Sequence, residues 1–290
     1  MISVIVPTYR NSKCLDLCLK SIMENKVLDE TEVIVVVDGY PEESAEVIAK
    51  YKGLKVLNLP ENKGMGYALN LGVMNASNPY ICIVNDDNIF PREYDRKFQE
   101  AIWKVAEQSW AGFDIDSGEL TEPENICIQI NQVERSEGIF DYVVKDLGGP
   151  DDFRYEEWLD YEPTVSQELA TPNGRLFPFI LSKKWYMVVG GFDNFFNSPF
   201  WVDCDFFLKL ELINKIQFVR WHGCHLYHFG RVSTMNRKDA ESEIFIKSEG
   251  EAAQTFLYKW GFIPPIVEAA KLRNNSKLPL DKEIKGIRFN

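Results

Sequence analysis

The first hundred residues alternate short apolar runs with stretches of helical periodicity, and this alternation limits the fold more than any other feature. The apolar runs lie at Ile2–Val6, Glu32–Val37, Lys55–Leu57 and Tyr80–Val84. Helical stretches lie between or after them, at Ser12–Glu24, Glu42–Tyr51, Gly64–Ala76 and beyond Pro91, a residue that suits a first helical turn. Continuous apolar runs are typical of strands buried on both faces of a parallel sheet. The pattern therefore predicts an α/β fold with a Rossmann-like, mostly parallel twisted sheet flanked by helices.

Ligands of such sheets bind beyond the carboxyl ends of the strands, so the residues that follow each strand form the candidate site. They are Pro7–Tyr9, Asp38–Gly39 and Asn85–Asn88, together with Asn62–Gly64 before the third helix. The Asn85–Asn88 segment contains two adjacent carboxylates, and such groups bind hard cations through oxygen. A capped turn that leads into the next helix is the alternative explanation for this segment.

The composition excludes some classes of partner. The chain has a formal net charge of −12, which disfavours nucleic acid and anionic membranes but not a single nucleotide held with a metal. Six cysteines without a Cys-x-x-Cys pattern indicate reduced thiols in a cytoplasmic protein. The first strand begins at Ile2, which leaves no room for a signal peptide, and no apolar run approaches the ~20 residues that span a bilayer.

The rest of the chain is less regular. From Trp110 to Arg175 the periodicity weakens, and acidic Glu156–Glu168 is expected to be a loop within insertions that contact an acceptor. Order returns at Leu176–Leu181, helical periodicity appears around Glu241–Lys259, and a charged surface tail is expected from Leu272. These changes predict one domain over residues 1–230, divided at 109 and 110, and a helical extension over 231–290.

A series of short motifs resembles glycosyltransferase family 2, whose members have the GT-A fold. In chain order the motifs are Ser3–Tyr9, Val35–Gly39, Asn62–Gly72, Asn85–Asp87, Gly190–Asp193, Asp203–Phe206 and His228–Gly230. The resemblance implies that residues 1–109 bind the nucleotide and residues 110–230 bind the acceptor. It also implies transfer of a sugar from a nucleoside diphosphate to an acceptor hydroxyl, with inversion and with Mn²⁺ or Mg²⁺.

The resemblance assigns a role to each motif. The nucleotide-contacting residues would be Pro7, Tyr9, Asp38, Asn62, Gly64 and Asp86. Asp87 and His228 would bind the metal, and Asp203 would be the general base. Trp201, Asp205 and Asp193 would lie on the acceptor side, with Trp201 and Phe200 as a platform for a sugar ring. Asp205 would cap its helix or orient the acceptor.

Three positions depart from the family pattern. Val37 and Val202 stand where members often have an acidic residue, before the residues that match Asp38 and Asp203. Asn85 replaces the first Asp of the metal motif. Because an amide binds a cation more weakly than a carboxylate does, Asp87 is expected to carry the metal. Asp86 would supplement it or face the sugar.

The three histidines are His222, His225 and His228. On a regular strand a spacing of three alternates faces, so His225 is predicted to point away from the other two. Only His228 matches a family motif. Gln217–Trp221 also fits a Gln-x-x-Arg-Trp pattern of processive polysaccharide synthases, but its position favours a strand that leads to His228.

The expected chemistry needs a cation to stabilise the leaving diphosphate and a carboxylate to accept the hydroxyl proton. Asp38 is expected to accept the imide N–H of uracil or thymine, which favours UDP or dTDP donors. Two other classes stay open: a nucleotidyltransferase, although only Arg10 precedes Lys13 near the first turn, and a silent nucleotide-sugar or glycan-binding module. A dehydrogenase is disfavoured because Leu69 stands where a third glycine would follow Gly66. The oligomeric state, the sugar and the acceptor are left open.

Overall fold

A computed structural model of the chain describes residues 1–109, 124–136, 142–172, 174–196, 201–230 and 240–262. The helices are α1 (Ser12–Asn25), α2 (Pro41–Ile48), α3 (Met65–Met74), α4 (Tyr94–Ser109), α5 (Tyr155–Val165), α6 (Lys183–Val188), α7 (Val202–Leu212) and α8 (Ala240–Trp260). The strands are β1 (Ile2–Thr8), β2 (Glu32–Asp38), β3 (Lys55–Leu59), β4 (Tyr80–Ile83), β5 (Asn88–Ile89), β6 (Ile126–Glu134), β7 (Val143–Val144), β8 (Ala170–Pro172), β9 (Phe179–Ser182) and β10 (Gln217–His228). None of these helices is long and apolar enough to cross a membrane.

The strands form one mixed sheet with the order β3-β2-β1-β4-β9-β6-β10-β5, and β7 and β8 pair with β6 and β10. The first four strands of the chain are parallel to one another. Strand β9 is antiparallel to both β4 and β6, and β6 is parallel to β10. The predicted α/β fold with a mostly parallel sheet is therefore confirmed.

Alternate residues of the central strands face opposite helical layers, because the side chains of a strand alternate between the two faces of its sheet. Val4 and Val6 belong to the core cluster that contains α1 and α4. Ile5 belongs to a second cluster with Leu69 of α3. Helix α3 packs so closely that a Cβ added to Gly72 would lie 2.5 Å from Cγ2 of Ile5. Both faces of the sheet are covered, which explains the uninterrupted apolar runs.

Two stretches differ from the sequence prediction. The expected loop at Glu156–Glu168 is wrong, because helix α5 occupies most of it and buries Trp158 and Leu159 against Tyr227 and its neighbours. Strand β6 lies in the middle of the sheet, within a region interpreted as insertions. Its apolar run is broken by buried amides, including Gln129 and Asn131, so it lacks the pattern of the earlier strands. The expected tail from Leu272 lies outside the described residues.

A bulge in β10 changes the predicted orientation of the histidines. The pairing of β10 with β6 shifts between Trp221 and His225, so the regular alternation of side chains is interrupted there. His222 and His225 consequently meet at one side chain, that of Asn131. The prediction that these two histidines point away from each other is wrong for this reason.

The shared amide of Asn131 fixes the protons of both imidazoles. Its Oδ1 accepts a hydrogen bond from Arg220 Nε at 3.0 Å, so its Nδ2 is the atom that donates to the histidines. The receiving atoms are His225 Nε2 at 3.0 Å and His222 Nδ1 at 3.1 Å. His225 is therefore neutral and donates from Nδ1 to Ser166 Oγ at 3.1 Å.

The chain of hydrogen bonds continues from Ser166 to a buried carboxylate. Its hydroxyl donates to Glu162, which is 1% exposed and forms an ion pair of 2.6 Å with Lys97 of α4. Burial, together with nearby His222 and Arg220, lowers the pKa of His225 to about 4. Protonation of His225 would remove its acceptor atom, so the network requires the neutral form.

We expect the stability of the fold to decline as pH falls from about 6.5 to about 4 because of His225. The unfolded chain binds this proton near pH 6.5, whereas the folded protein resists it until about pH 4. The corresponding loss in the free energy of unfolding is about 2–3 kcal/mol.

Urea unfolding at pH 7.5, 6.0 and 4.5 measures this loss in the wild type and in His225→Gln. The variant should be less stable at pH 7.5 but should lose less stability on acidification, since the titrating carboxylates are common to both proteins. Parallel pH profiles for the two proteins would contradict the assignment.

Candidate active site

The carboxyl ends of the parallel strands place the first candidate residues on one edge of the sheet. Pro7 lies opposite Val36 and Thr8 opposite Val37, so Tyr9, just after β1, and Asp38, the last residue of β2, lie at the same end of neighbouring strands. Strand β4 pairs with β1 on its other side and leads into Asn85–Asn88. The predicted convergence of these segments is confirmed, because parallel strands end at the same edge.

The carboxylate of Asp86 accepts hydrogen bonds from the last residue of β1 and from a residue just before α1. Thr8 Oγ1 donates to its Oδ2 at 2.7 Å, and Asn11 Nδ2 donates to its Oδ1 at 2.9 Å. Burial and the adjacent charge of Asp87 raise the pKa of Asp86 to about 7. Both oxygens of Asp86 therefore hold the acidic turn against β1 and α1.

Asp87 faces His228 across a short antiparallel pairing. Strand β5 pairs with β10 so that Asn88 lies opposite His228, and the N–H of Phe229 donates to the carbonyl of Asp87 at 3.2 Å. The imidazole Nε2 of His228 then lies 3.4 Å from Oδ2 of Asp87. The two residues that the sequence assigned to the metal are thus brought together.

Glu134 at the end of β6 holds the other nitrogen of His228. Its Oε1 lies 3.1 Å from Nδ1 of the imidazole. Burial alone would lower the pKa of His228, but the carboxylates of Asp87 and Glu134 outweigh it and raise the pKa to about 10. A cation at Asp87 would displace the proton from Nε2, because an imidazole binds a metal only in its neutral form, while Nδ1 would still donate to Glu134.

One carboxylate oxygen of Asp87 is suited to binding a cation. Oδ1 is buried and has no hydrogen-bond partner among the described residues, and an unsatisfied buried carboxylate oxygen is costly. Within the same residues no group of three or more His, Cys, Asp or Glu side chains is arranged to hold a metal ion. Mg²⁺ commonly needs only one or two carboxylates, because water and substrate phosphates complete its shell. Asp87 and His228 fit a site of that kind.

Asp38 fixes the segment that precedes α3. It is 4% exposed, and its two oxygens accept hydrogen bonds from the N–H groups of Lys63 at 2.6 Å and Gly64 at 3.0 Å. Asn62 Oδ1 also accepts from Gly64 at 3.1 Å. The backbones of Gly39 and Asn62 lie close together, since a Cβ on Gly39 would lie 2.7 Å from the backbone nitrogen of Asn62. A nucleobase would have to use the remaining lone pairs of the Asp38 carboxylate.

Two aromatic side chains flank this edge after β1 and β2. The rings of Tyr9 and Tyr40 are 6.0 Å apart in an edge-to-face arrangement, and the guanidinium of Arg10 lies 4.7 Å from the Tyr40 ring. Arg10 and Tyr40 both have a positive φ, at 51° and 53°, which is uncommon for residues with a side chain. The turns after both strands are therefore tightly bent beside Asp38.

Asn70 of α3 joins the first part of the chain to the Gly190–Asp193 motif. Its amide exchanges two hydrogen bonds of 2.8 Å with the backbone N–H and carbonyl of Phe192, and it accepts a third from Tyr186. Gly191 has a φ of +66°, and a Cβ there would lie 2.2 Å from Oδ1 of Asn70. The Gly190–Asp193 motif is thus a turn that fits closely on α3.

The first turn of α7 carries Asp203 and Asp205 in different environments. Asp205 is fully buried and forms ion pairs with Lys259 at 2.7 Å and Lys209 at 3.5 Å. Asp203 is half-buried, and its Oδ1 accepts a hydrogen bond of 2.8 Å from the N–H of Cys204. In the described part of the chain no cationic side chain pairs with Asp203. Burial raises its pKa, which makes it a stronger base than an exposed Asp.

The other acceptor-side residues lie as follows. Asp193 is partly exposed, and its Oδ2 lies 2.7 Å from the ammonium of Lys259. Burial would raise the pKa of Asp193, but Lys259 outweighs it and lowers the pKa. Trp201 is only 5% exposed and packs against Phe256, so its ring is not an open platform in this structure. Phe200, the expected partner of that platform, lies outside the described residues.

Several partners of the site were not identified from the sequence. They are Thr8 and Asn11 beside Asp86, Glu134 beside His228, and Lys259 and Trp260 beside Asp205. Thr8 and Asn11 were accessible in principle, because they belong to or follow the first motif. The others come from elements distant in the chain, and no local pattern marks them.

Comparison with known proteins shows a similarity within the first half of the chain. Residues 3–137 match the family described as glycosyl transferase family 2. The chain is similar to chondroitin synthase of Escherichia coli, with 31% identity over 90 residues, which are 30% of this chain and 13% of that protein. Glycosyltransferase GlyG of Streptococcus pneumoniae is 32% identical over 93 residues, or 31% of each chain. The chain covers less than a third of the length of these curated relatives.

Solved structures agree on the fold. The crystal structure of S. aureus TarS 1-349 in complex with UDP has a TM-score of 0.54 and 17% identity, and the match covers 96% of this chain and 75% of that one. A structure of S. aureus TarS gives the same TM-score at 18% identity over 88% of this chain and 43% of that one. The fold is therefore of the GT-A type. Residues 3–137, a little under half of the chain, carry the similarity to glycosyl transferase family 2.

Proposed function

We propose that this protein transfers a sugar from a uridine or thymidine diphosphate sugar to an acceptor hydroxyl, with inversion at the anomeric carbon. The observation that carries the proposal is the placement of Asp203, a half-buried carboxylate that has no cationic partner among the described residues, in an acceptor-side turn. Asn70 ties that side of the protein to the nucleotide edge. S. aureus TarS 1-349, which is similar in fold, was solved with UDP and with UDP-GlcNAc, and this supports a nucleotide-sugar donor.

In this proposal each half of the domain has one task. Residues 1–109 bind the donor, residues 110–230 bind the acceptor, and residues 231–290 are an extension. The acceptor is a glycan or another molecule with a free hydroxyl. Its oxygen attacks the anomeric carbon, the bond to the diphosphate breaks with its electrons on the diphosphate, and Asp203 takes the hydroxyl proton.

Asp87 and His228 are the residues proposed to bind Mn²⁺ or Mg²⁺. A bound divalent cation supplies electrostatic stabilisation of the negative charge on the diphosphate. The unsatisfied Oδ1 of Asp87 supports this assignment. Asp86, which Thr8 and Asn11 hold in place, would orient the turn that carries Asp87.

Removal of the metal, or of its carboxylate ligand, should weaken binding of UDP. Calorimetry with Mn²⁺ should give an affinity about 10- to 100-fold higher than calorimetry with EDTA, and Asp87→Asn should lose most of that difference. Asp151→Asn is a matched control, because Asp151 is an exposed partner of Lys13 outside the site. Equal affinity of the wild type for UDP with and without EDTA would remove the metal from the proposal.

The nucleobase preference tests Asp38 without changing the protein. Uracil and thymine present an imide N–H to a carboxylate, whereas N3 of cytosine carries no hydrogen. We expect UDP and dTDP to bind about 10- to 100-fold more tightly than CDP, because one hydrogen bond to a charged group is lost. Competition between the diphosphates measures this ratio. Asp38→Asn is a poor test, since it would also release Lys63 and Gly64. Tighter binding of CDP would show that Asp38 does not contact the base.

Asp203→Asn should reduce turnover by about 10²- to 10⁴-fold, because the amide cannot accept a proton. Turnover is the release of UDP from UDP-sugars, with water or candidate glycans as acceptors. The affinity for UDP and Mn²⁺ should stay unchanged. Asp205→Asn is the comparison: it should lower the thermal midpoint and cost less turnover, since Asp205 is fully buried among cations. Near-normal turnover in Asp203→Asn would assign the base to another residue.

A further inference from the structure

The last turn of α8 contacts two acidic residues from separate parts of the acceptor side. The ammonium of Lys259 lies 2.7 Å from Oδ2 of Asp193 and 2.7 Å from Oδ1 of Asp205. The indole N–H of Trp260 donates to the same Oδ1 of Asp205 at 2.8 Å. One helix end therefore joins the Gly190–Asp193 turn to the first turn of α7.

The same helix covers the backbone immediately before Asp203. Trp201 has a φ of +65°, a conformation that is rare for a bulky residue and persists only where surrounding contacts hold it. Phe256 of α8 lies against Trp201, with ring centroids 5.4 Å apart. The carbonyl of Trp201 accepts the N–H of Asp205, which begins the hydrogen bonding of α7. Helix α8 thus contacts the residues two positions before and two positions after Asp203.

Asp203 itself makes none of these contacts among the described residues. It lies between Trp201, which packs on Phe256, and Asp205, which binds Lys259 and Trp260. Displacement of either neighbour would move its carboxylate, because the three residues share one helical turn. Since Asp205 is fully buried, loss of Lys259 would leave only the more distant Lys209, at 3.5 Å, to compensate its charge and would favour rearrangement of that turn.

We propose that Lys259 and Trp260 are positioning residues for the acceptor side: the end of α8 sets the location of Asp203 and of the Gly190–Asp193 turn. This inference rests on the proposed function of Asp203. It assigns a part in the site to a helix that lies outside residues 3–137, where the family match is found. The donor edge, formed by β1, β2 and β4, has none of these contacts to α8, so the effect should be confined to transfer.

The first experiment measures the contact without any substrate. Hydrogen–deuterium exchange of the full chain is followed by mass spectrometry in the wild type, Lys259→Met, Lys259→Arg and Trp260→Phe. Lys259→Met should increase exchange at least about threefold in peptides that contain 190–196 and 201–206, and leave peptides of β1 and β2 unchanged. Arginine should restore most of the protection, because it can still join two carboxylates. Trp260→Phe keeps the ring and removes only the N–H, so it should have a smaller effect.

Lys247→Met is the matched control. Lys247 lies on the same helix, is 78% exposed and, within the described part of the chain, forms an ion pair only with Glu251, four residues further on. It loses the same charge from the same helix without touching the acceptor side. Its exchange pattern should match that of the wild type in every peptide named above.

The second experiment measures release of UDP from UDP-sugars, with water as the acceptor. Lys259→Met should lower kcat by about 10- to 100-fold, the usual penalty for a misplaced group, without changing donor KM or the affinity for UDP. Lys259→Arg should recover most of kcat, and Lys247→Met should resemble the wild type. A purely stabilising contact would not produce this separation of kcat from donor KM.

The outcomes separate the two proposals. Unchanged exchange in Lys259→Met, or raised exchange with normal kcat, overturns the positioning role while leaving the glycosyltransferase proposal in place. A fall in kcat that arginine does not rescue and that Lys247→Met shares also overturns it. A wild-type protein that binds UDP but releases none from any UDP-sugar overturns the proposed function, and the positioning role with it.

Discussion

The two halves of this protein form one sheet because of a single short strand. Strand β9 has four residues and pairs antiparallel with β4 on one side and β6 on the other. It is held by burial, since Phe179, Ile180 and Leu181 are at most 1% exposed. Strand β4 leads to the acidic turn, and β6 is the neighbour of β10, which carries His228. The hydrogen bonds of β9, together with the direct pairing of β5 with β10, therefore set the spacing between Asp87 and His228.

In this fold the carboxylates differ in the hydrogen-bond donors and cations that surround them. The backbone N–H groups of Lys63 and Gly64 occupy Asp38, side-chain donors occupy Asp86, and cations compensate Asp205. Asp203 combines partial burial with the absence of a cationic partner in the described residues. In a chain with a net charge of −12, Asp203 thus differs from these other carboxylates in its surroundings, which is why the proposal assigns proton acceptance to it.

The convergence of the strand ends could be predicted from the sequence, because the order of strands and helices determines where parallel strands end. Asp38 and Asp87 could be placed on one edge for that reason, and His228 could be placed near them by its family motif. Glu134 and Lys259 could not, since each approaches from an element far along the chain. Helix α5 was not predicted because its sequence is mostly acidic and only a narrow face, at Trp158 and Leu159, is apolar. Strand β6 was not predicted because buried amides interrupt its apolar run.

The bulge in β10 has a consequence that depends on the number of residues rather than on their chemistry. Between Trp221 and His225, β10 advances four positions while β6 advances from Ile130 to Asn131, so β10 contains three additional residues. An odd insertion reverses which residues of a strand face up and which face down. His228 consequently lies on the same face of the sheet as Trp221, seven residues earlier, although a regular strand would place the two on opposite faces. A deletion of one residue at this point would turn the imidazole away from Asp87 even if every side chain of the site were kept.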